Sequence, residues 1–203
     1  MSVRRSGVPV VDRVIGGLAP GLPLVIAGPP GCGRTVLSLQ LAAAALADSD
    51  IVAFLSGEPA ALLLRQAESL GLALETYVSS GQLLLLELDP RAPASLQSAG
   101  GKALVESIRA EHPSVSLIVI DPFTALTTGL VEEAPLRALA RDLIAATPRA
   151  TLVLTVETER PDADAPVERV LAEVCGTLLT LGRRKDGRRR SWSSTATSRA
   201  ASS

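Results

Sequence analysis

The residues from Gly28 to Thr35 read G-P-P-G-C-G-R-T, a composition typical of a loop that binds phosphate. An apolar run precedes them and a helix-like run follows, so the order is strand, glycine-rich loop, helix. Glycines allow the close backbone approaches that a Cβ would block, and the helix adds the positive end of its dipole. The alternative is a glycine-rich turn without a ligand. The residues expected to contact a phosphate-bearing ligand are Gly28, Pro29, Pro30, Gly31, Cys32, Gly33, Arg34, Thr35 and Val36.

Two polar side chains end this loop. The hydroxyl of Thr35 is placed to hold Mg²⁺, whereas Arg34 stands where the motif has lysine. Arginine is a bulkier, planar cation that can pair with phosphate oxygens but is less suited to the point where the β–γ bridge breaks. The loop therefore predicts nucleotide binding with slow hydrolysis.

A second acid-bearing strand follows further along the chain. The run Leu117-Ile118-Val119-Ile120-Asp121 is four apolar residues and an acid, the Walker B pattern. The carboxyl end of such a buried strand emerges beside the phosphate loop, where a carboxylate can hold Mg²⁺ through water. We therefore assign Thr35 and Asp121 to the metal.

Composition limits the class of protein. The chain has 203 residues and a net charge of −1, and 47% of its residues are hydrophobic, which indicates a packed core. The scarcity of aromatic residues, 2%, argues against base-stacking platforms for single-stranded nucleic acid. Two cysteines, Cys32 and Cys175, suggest no metal or disulfide framework. Cys32 is either a redox handle or a small filler, and Cys175 is expected in a strand. With no signal peptide or membrane span visible, we expect a cytoplasmic protein without membrane contact.

Apolar strand runs alternate with amphipathic helical runs along the chain. Strands are expected at 51–55, 82–88, 117–121, 151–156 and 176–181, and helices after Pro59 and at 102–111, 132–147 and 167–174. Residues 92–99 are expected to be loop or helix start, and the Gly- and Pro-containing segment 6–21 a turn-rich lead-in. The dipeptide Asp186-Gly187 predicts a hairpin with Trp192 on its return strand. This alternation favours a three-layer α/β fold with a mainly parallel central sheet and a C-terminal β-hairpin.

The lead-in and the phosphate loop together resemble the KaiC-like branch of the RecA superfamily of P-loop ATPases. The lead-in reads G-V-P-V-V-D-R-V-I-G-G-L from Gly7 to Leu18, and a turn and strand separate it from the loop. The resemblance covers most of the chain and implies a RecA-like P-loop NTPase fold that binds ATP or ADP with Mg²⁺. We assign residues 1–192 to one such domain and 193–203 to a Ser/Thr/Ala-rich tail.

The resemblance also implies roles for three residues. Glu58 matches the acid that polarises the attacking water, although relatives carry two adjacent carboxylates and this chain has Pro59 next. An acid that favours a helix dipole is the other interpretation of Glu58. Thr155 matches a polar residue that senses the γ-phosphate, or is merely structural. Arg199 matches the arginine of a Lys-x-Arg pair that enters a neighbour's site, but the lysine is missing, and a disordered tail is the alternative.

Partners follow from charge and from the resemblance. Relatives form rings, which implies a homo-oligomer, or else pairing with a related protein. The loop at 157–166 is acidic and so argues against DNA, whose affinity is mostly phosphate neutralisation. The basic cluster 183–190 is either a contact for nucleic acid or a neighbouring subunit, or a solvated hairpin tip. Three hypotheses remain: a nucleotide-dependent conformational or assembly switch with weak hydrolysis, a non-catalytic regulator or scaffold, and a RadA-type or RecA-type DNA-repair ATPase.

Overall fold

A computed structural model describes residues 3–88, 92–130, 132–158, 166–183 and 190–195. Four predictions fall wholly or mostly outside these ranges: the trans role of Arg199, the Asp186-Gly187 turn, the acidic loop at 159–165, and the basic cluster at 184–189. The predicted tail, 193–203, is described only as far as residue 195.

Strands and helices alternate through the described ranges. The strands are β1 (Leu24–Gly28), β2 (Ile51–Ser56), β3 (Leu83–Glu87), β4 (Val115–Asp121), β5 (Thr151–Glu157), β6 (Leu178–Arg183) and β7 (Arg190–Thr195). The helices are α1 (Pro9–Ile15), α2 (Arg34–Ala47), α3 (Ala60–Ser69), α4 (Glu75–Ser79), α5 (Ala92–Glu111), α6 (Glu133–Ala146) and α7 (Pro166–Cys175). A 3₁₀ helix, Phe123–Thr127, follows β4.

These strands form one sheet in the order β3-β2-β4-β5-β1-β6-β7. Neighbours from β3 to β6 pair in parallel, whereas β7 pairs antiparallel with β6 and sets Trp192 opposite Leu181. The return strand expected around Trp192 is therefore present, and it continues past the boundary predicted at that residue.

The two faces of the sheet are covered by different helices. In β1, Leu24 and Ile26 face a core that includes α2 and α3, while Val25 and Ala27 face a core that includes α5, α6 and α7. Side chains of a strand alternate between the two faces of the sheet, and helices cover both faces. All four residues are therefore buried, which explains the continuous apolar run in the sequence. The predicted three-layer, RecA-like α/β fold is confirmed.

The N-terminal lead-in differs from the turn-rich segment that the sequence predicted. It contains α1, whose first residue is Pro9, a position where proline's missing N–H costs nothing. The Asp12 carboxylate accepts a hydrogen bond of 2.6 Å from the Ser6 N–H. A Cβ on Gly7 would lie 2.2 Å from the Cβ of Ala44. The lead-in is thus a small helical unit packed directly on α2.

Two other elements depart from expectation, and one open alternative is decided. Helix α4 was not predicted. Residues 92–99, expected to be loop or helix start, form the start of α5, which has a non-helical residue at Gly100. Cys175 is the last residue of α7 and does not lie in a strand, since the strand begins only at Leu178. Cys175 is buried in the core, and this burial raises the pKa of its thiol to about 12.

Candidate functional site

Four neighbouring strands bring the predicted site residues to one edge of the sheet. In the order β2-β4-β5-β1, Ser56 is in register with Asp121, and Gly28 with Glu157. The carboxyl ends of parallel strands all point to this edge, where ligands of open α/β sheets bind. The loop after Gly28 therefore lies on the same edge as the ends of β4 and β5, while Glu58 lies beyond the end of β2.

The loop between β1 and α2 has the backbone that a phosphate group requires. Gly31 has φ 71° and Gly33 φ 104°, conformations that side-chain-bearing residues rarely adopt. Gly33 is the N-cap of α2, and no side chain caps the helix there. The first-turn N–H groups of α2 are left for another acceptor, so the loop fits an anionic ligand.

Gly28 is required for packing within the protein. A Cβ at this position would lie 2.6 Å from both Cys32 Sγ and the Leu181 carbonyl oxygen. Cys32 is 3% exposed, so it fills the space that Gly28 leaves. This position favours the interpretation of Cys32 as a small filler.

The Arg34 side chain is bound to the ends of β1 and β5. Its Nη1 donates to the Gly28 carbonyl at 2.6 Å and to the Val156 carbonyl at 2.8 Å. Its Nη2 donates to Glu157 Oε2 at 3.0 Å, in an ion pair. The arginine side chain is only 11% exposed, and the glutamate 47%. The cation is thus held by protein acceptors between two strands.

The Asp121 carboxylate is held by a neighbouring strand. Oδ1 accepts a short hydrogen bond from the hydroxyl of Thr155, and both residues are buried. The Thr155 hydroxyl therefore contacts and orients the carboxylate of Asp121, the residue predicted to hold the metal ion.

Glu58 follows β2 on a backbone fixed by Ser56. The Glu58 N–H donates to Ser56 Oγ at 2.8 Å, and the Gly57 N–H donates to the Asp121 carbonyl at 3.1 Å. The Glu58 side chain is exposed and is not in a helix, since α3 begins at Ala60. Its carboxylate has no hydrogen-bond or ion-pair partner within the described residues, so it is accessible to water.

Metal binding at this edge would rely on few protein ligands. Among residues 3–88, 92–130, 132–158, 166–183 and 190–195, no group of three or more His, Cys, Asp or Glu side chains could hold a metal ion. Asp121 and Thr35 fit a Mg²⁺ ion that takes most of its ligands from water and ligand phosphates, the usual pattern for this ion.

Sequence reasoning missed two contributors to this edge. Glu157 was counted only as part of an acidic loop, and Ser56 was not considered. A signal for Glu157 existed, since an arginine in a lysine position can use a nearby carboxylate at the end of a neighbouring strand. Ser56 carried no comparable signal, because its role is to accept a backbone N–H.

In the part of the chain that the structure describes, no helix is both long enough and apolar enough to cross a bilayer.

Comparison with known proteins gives two matches. The family model described as "ATPase: KaiC" matches residues 4–191. A DNA repair protein RadA from Brucella abortus (strain 2308) is 30% identical over 132 residues, which are 64% of this chain and 26% of that protein. The chain therefore spans about a quarter of the length of this curated relative.

Proposed function

The chain belongs to the KaiC ATPase family, and from this premise we propose that it binds ATP or ADP with Mg²⁺ and acts as a nucleotide-dependent switch with weak hydrolysis. One observation carries the proposal. The uncapped N-terminus of α2, with its positive-φ glycines, lies at the same sheet edge as the Asp121 carboxylate. This combination supplies anion donors and a metal-side acid together.

A bound nucleotide would supply the phosphoryl group, and the Mg²⁺ ion bound with it would neutralise charge on the phosphate oxygens. Within residues 28–36, the backbone N–H groups that are not already hydrogen-bonded would bind the phosphates; Pro29 and Pro30 have none, and that of Cys32 donates to the Pro29 carbonyl. The Thr35 hydroxyl and the Asp121 carboxylate would hold the metal ion. Thr155 positions Asp121 through the hydrogen bond to Oδ1. The exposed carboxylate of Glu58 would orient and deprotonate a water molecule, and no side chain or main-chain group in the described part of the chain competes for it.

Hydrolysis is slow in this proposal because the cation of the loop is engaged elsewhere. Arg34 donates to two main-chain carbonyls and to Glu157. Loss of one well-placed donor to a developing charge costs on the order of 10² to 10³ in rate. The resulting long-lived bound state suits a conformational or assembly switch in a homo-oligomeric ring, or in a complex with a related protein.

A non-catalytic regulator or scaffold is the second candidate. Two features favour it: Arg34 is paired with Glu157, and a single acid, Glu58, stands before Pro59 where relatives have two. A DNA-repair ATPase is less well supported. Although the relative RadA is named as a DNA repair protein, the acidic residues at 157–164 would repel a phosphate backbone.

Calorimetric titration with Mg·ATP and Mg·ADP, followed by phosphate release from the same sample, tests the proposal. Micromolar binding with release well below one turnover per minute supports the switch. Turnover at about 1 per second or faster, within the usual enzymatic range, contradicts weak hydrolysis. Absence of binding leaves the scaffold. Salt-dependent binding to a labelled oligonucleotide would favour the DNA-repair candidate.

A further inference from the structure

We propose that Glu157 is a built-in competitor of nucleotide phosphate for Arg34, and so sets the affinity of the site. The inference rests on the proposed function, because it concerns the same loop. Glu157 would be a positioning residue, since it acts on the ligand only through the arginine.

The contacts of Arg34 carry the first step. Nη1 and Nη2 together make three hydrogen bonds, two to main-chain carbonyls at 2.6 Å and 2.8 Å and one to the Glu157 carboxylate at 3.0 Å. The two carbonyls are fixed by the strands that carry them. The carboxylate is the charged partner of the three, and it is on a half-exposed side chain, not on the main chain.

The exposure of the two groups carries the second step. The Arg34 side chain is 11% exposed, whereas that of Glu157 is 47% exposed. A half-exposed carboxylate gains little from an ion pair, because water and salt screen it. Glu157 holds the guanidinium through the single bond from Nη2 to Oε2, and it can therefore yield this donor to a phosphate, which offers more negative charge than a carboxylate.

The position of the pair carries the third step. Arg34 is the first residue of α2, next to the first-turn N–H groups, and Gly28 and Glu157 are paired in the sheet register. A carboxylate at this point places a negative charge beside the phosphate loop. Glu157→Gln removes the negative charge but keeps an acceptor, so Arg34 loses its charged partner and its Nη2 can bind a ligand phosphate while Nη1 stays on the two carbonyls.

The test measures binding of Mg·ATP and Mg·ADP by calorimetry to four full-length proteins: the parent, Glu157→Gln, Arg34→Met and the double variant. We expect Glu157→Gln to bind Mg·ATP about three to ten times more tightly than the parent, the effect of restoring one partly screened charge. In the Arg34→Met background the same change should tighten binding clearly less than in the parent, since only the direct repulsion of phosphate by Glu157 is left; the difference between the two backgrounds is the coupling between the two residues.

Glu111→Gln is the matched control. Glu111 is the exposed last residue of α5 and lies near the start of β4, at the opposite edge of the sheet. Glu111→Gln makes the same change in net charge as Glu157→Gln and should leave the affinities for Mg·ATP and Mg·ADP unchanged. Thermal unfolding of each protein without nucleotide verifies that the variants are folded.

Three results would overturn the inference. Equal tightening in the parent and Arg34→Met backgrounds would mean that Glu157 only repels phosphate directly. Unchanged or weaker binding of Glu157→Gln, with clear binding by the parent, would remove the competitor role and leave the proposed function intact. Absence of binding by both the parent and Glu157→Gln would remove the proposed function and the inference together, whereas binding by Glu157→Gln alone would support both.

Discussion

The hydrogen bond from Thr155 to Asp121 predicts different losses of stability for two chemically identical substitutions. Thr155→Val removes a buried hydroxyl that donates to the Asp121 carboxylate. Residue Thr158, just past the end of β5, is 1% exposed, and Thr158→Val removes a buried hydroxyl that has no hydrogen-bond partner among the described residues. Both changes keep the shape and replace one oxygen by a methyl group. The difference between the two variants therefore reports the hydrogen bond alone.

The expected magnitudes follow from these environments. Leaving a buried acceptor unsatisfied costs about 1–3 kcal/mol, more where it is charged, so Thr155→Val should lower the free energy of unfolding by about 2 kcal/mol. For a protein of this size, that corresponds to a fall in Tm of roughly 4–8 °C. Removing an unpaired buried hydroxyl should be neutral or stabilising, so Thr158→Val should change stability by less than about 0.5 kcal/mol.

Equilibrium unfolding in urea, without nucleotide, measures both values. Using the ligand-free protein separates the stability effect from any effect on Mg²⁺ binding. If Thr155→Val loses no more stability than Thr158→Val, the bond to Asp121 contributes nothing measurable and the positioning role of Thr155 is wrong. A change in the m-value would instead indicate an altered unfolded state.

Three further predictions concern other parts of the fold. Gly7→Ala should destabilise the protein by roughly 1–3 kcal/mol, because the new Cβ would lie 2.2 Å from the Cβ of Ala44. Gly71→Ala, at φ 75° with nothing within 4 Å of the new Cβ, should cost only backbone strain of about 1 kcal/mol. Chemical denaturation of both variants compares the two losses of stability. Cys175, buried and with its pKa raised to about 12, should resist iodoacetamide at pH 8 until the protein unfolds, as peptide mapping would show; rapid labelling of folded protein would contradict its burial. Glu58→Gln should retain Mg·ATP binding and reduce phosphate release by roughly 10²-fold or more, as expected for loss of a general base; unchanged release would exclude that role.

The sequence predicted the architecture well because burial on both faces leaves a strong signal. The apolar runs of β1, β2, β4 and β5 could be interpreted only as strands buried by helices, and the lead-in with the phosphate loop identified the KaiC-like resemblance that the family match confirms. Short elements without periodicity, such as α4, gave no such signal. The helix in the lead-in was missed because the glycines and prolines that flank it dominate the local composition.

Predictions about the site depended on what kind of contact was involved. Asp121 could be assigned because its position follows from strand length and topology. The geometry of Arg34 could not be predicted, because two of its three partners, the Val156 carbonyl and the Glu157 carboxylate, lie on a strand distant in sequence and are brought close only by the β1–β5 pairing. Thr155 shows the same limit: its type suggested a sensor or a structural residue, and only the neighbouring strand decides what its hydroxyl binds. The catalytic and metal roles remain predictions for the experiments above.

The position of β1 inside the sheet, between β5 and β6, has a consequence for synthesis of the chain. The strand that carries the phosphate loop is among the earliest elements made, yet its two neighbours, β5 and β6, are among the last. Such distant pairing slows folding, since loop closure is paid before contacts form. On the ribosome, β1 therefore has neither of its partner strands until most of the chain has been made. The ends of β1 and β5 can meet only then, so the bonds from Arg34 to Val156 and Glu157 are among the late contacts of this fold.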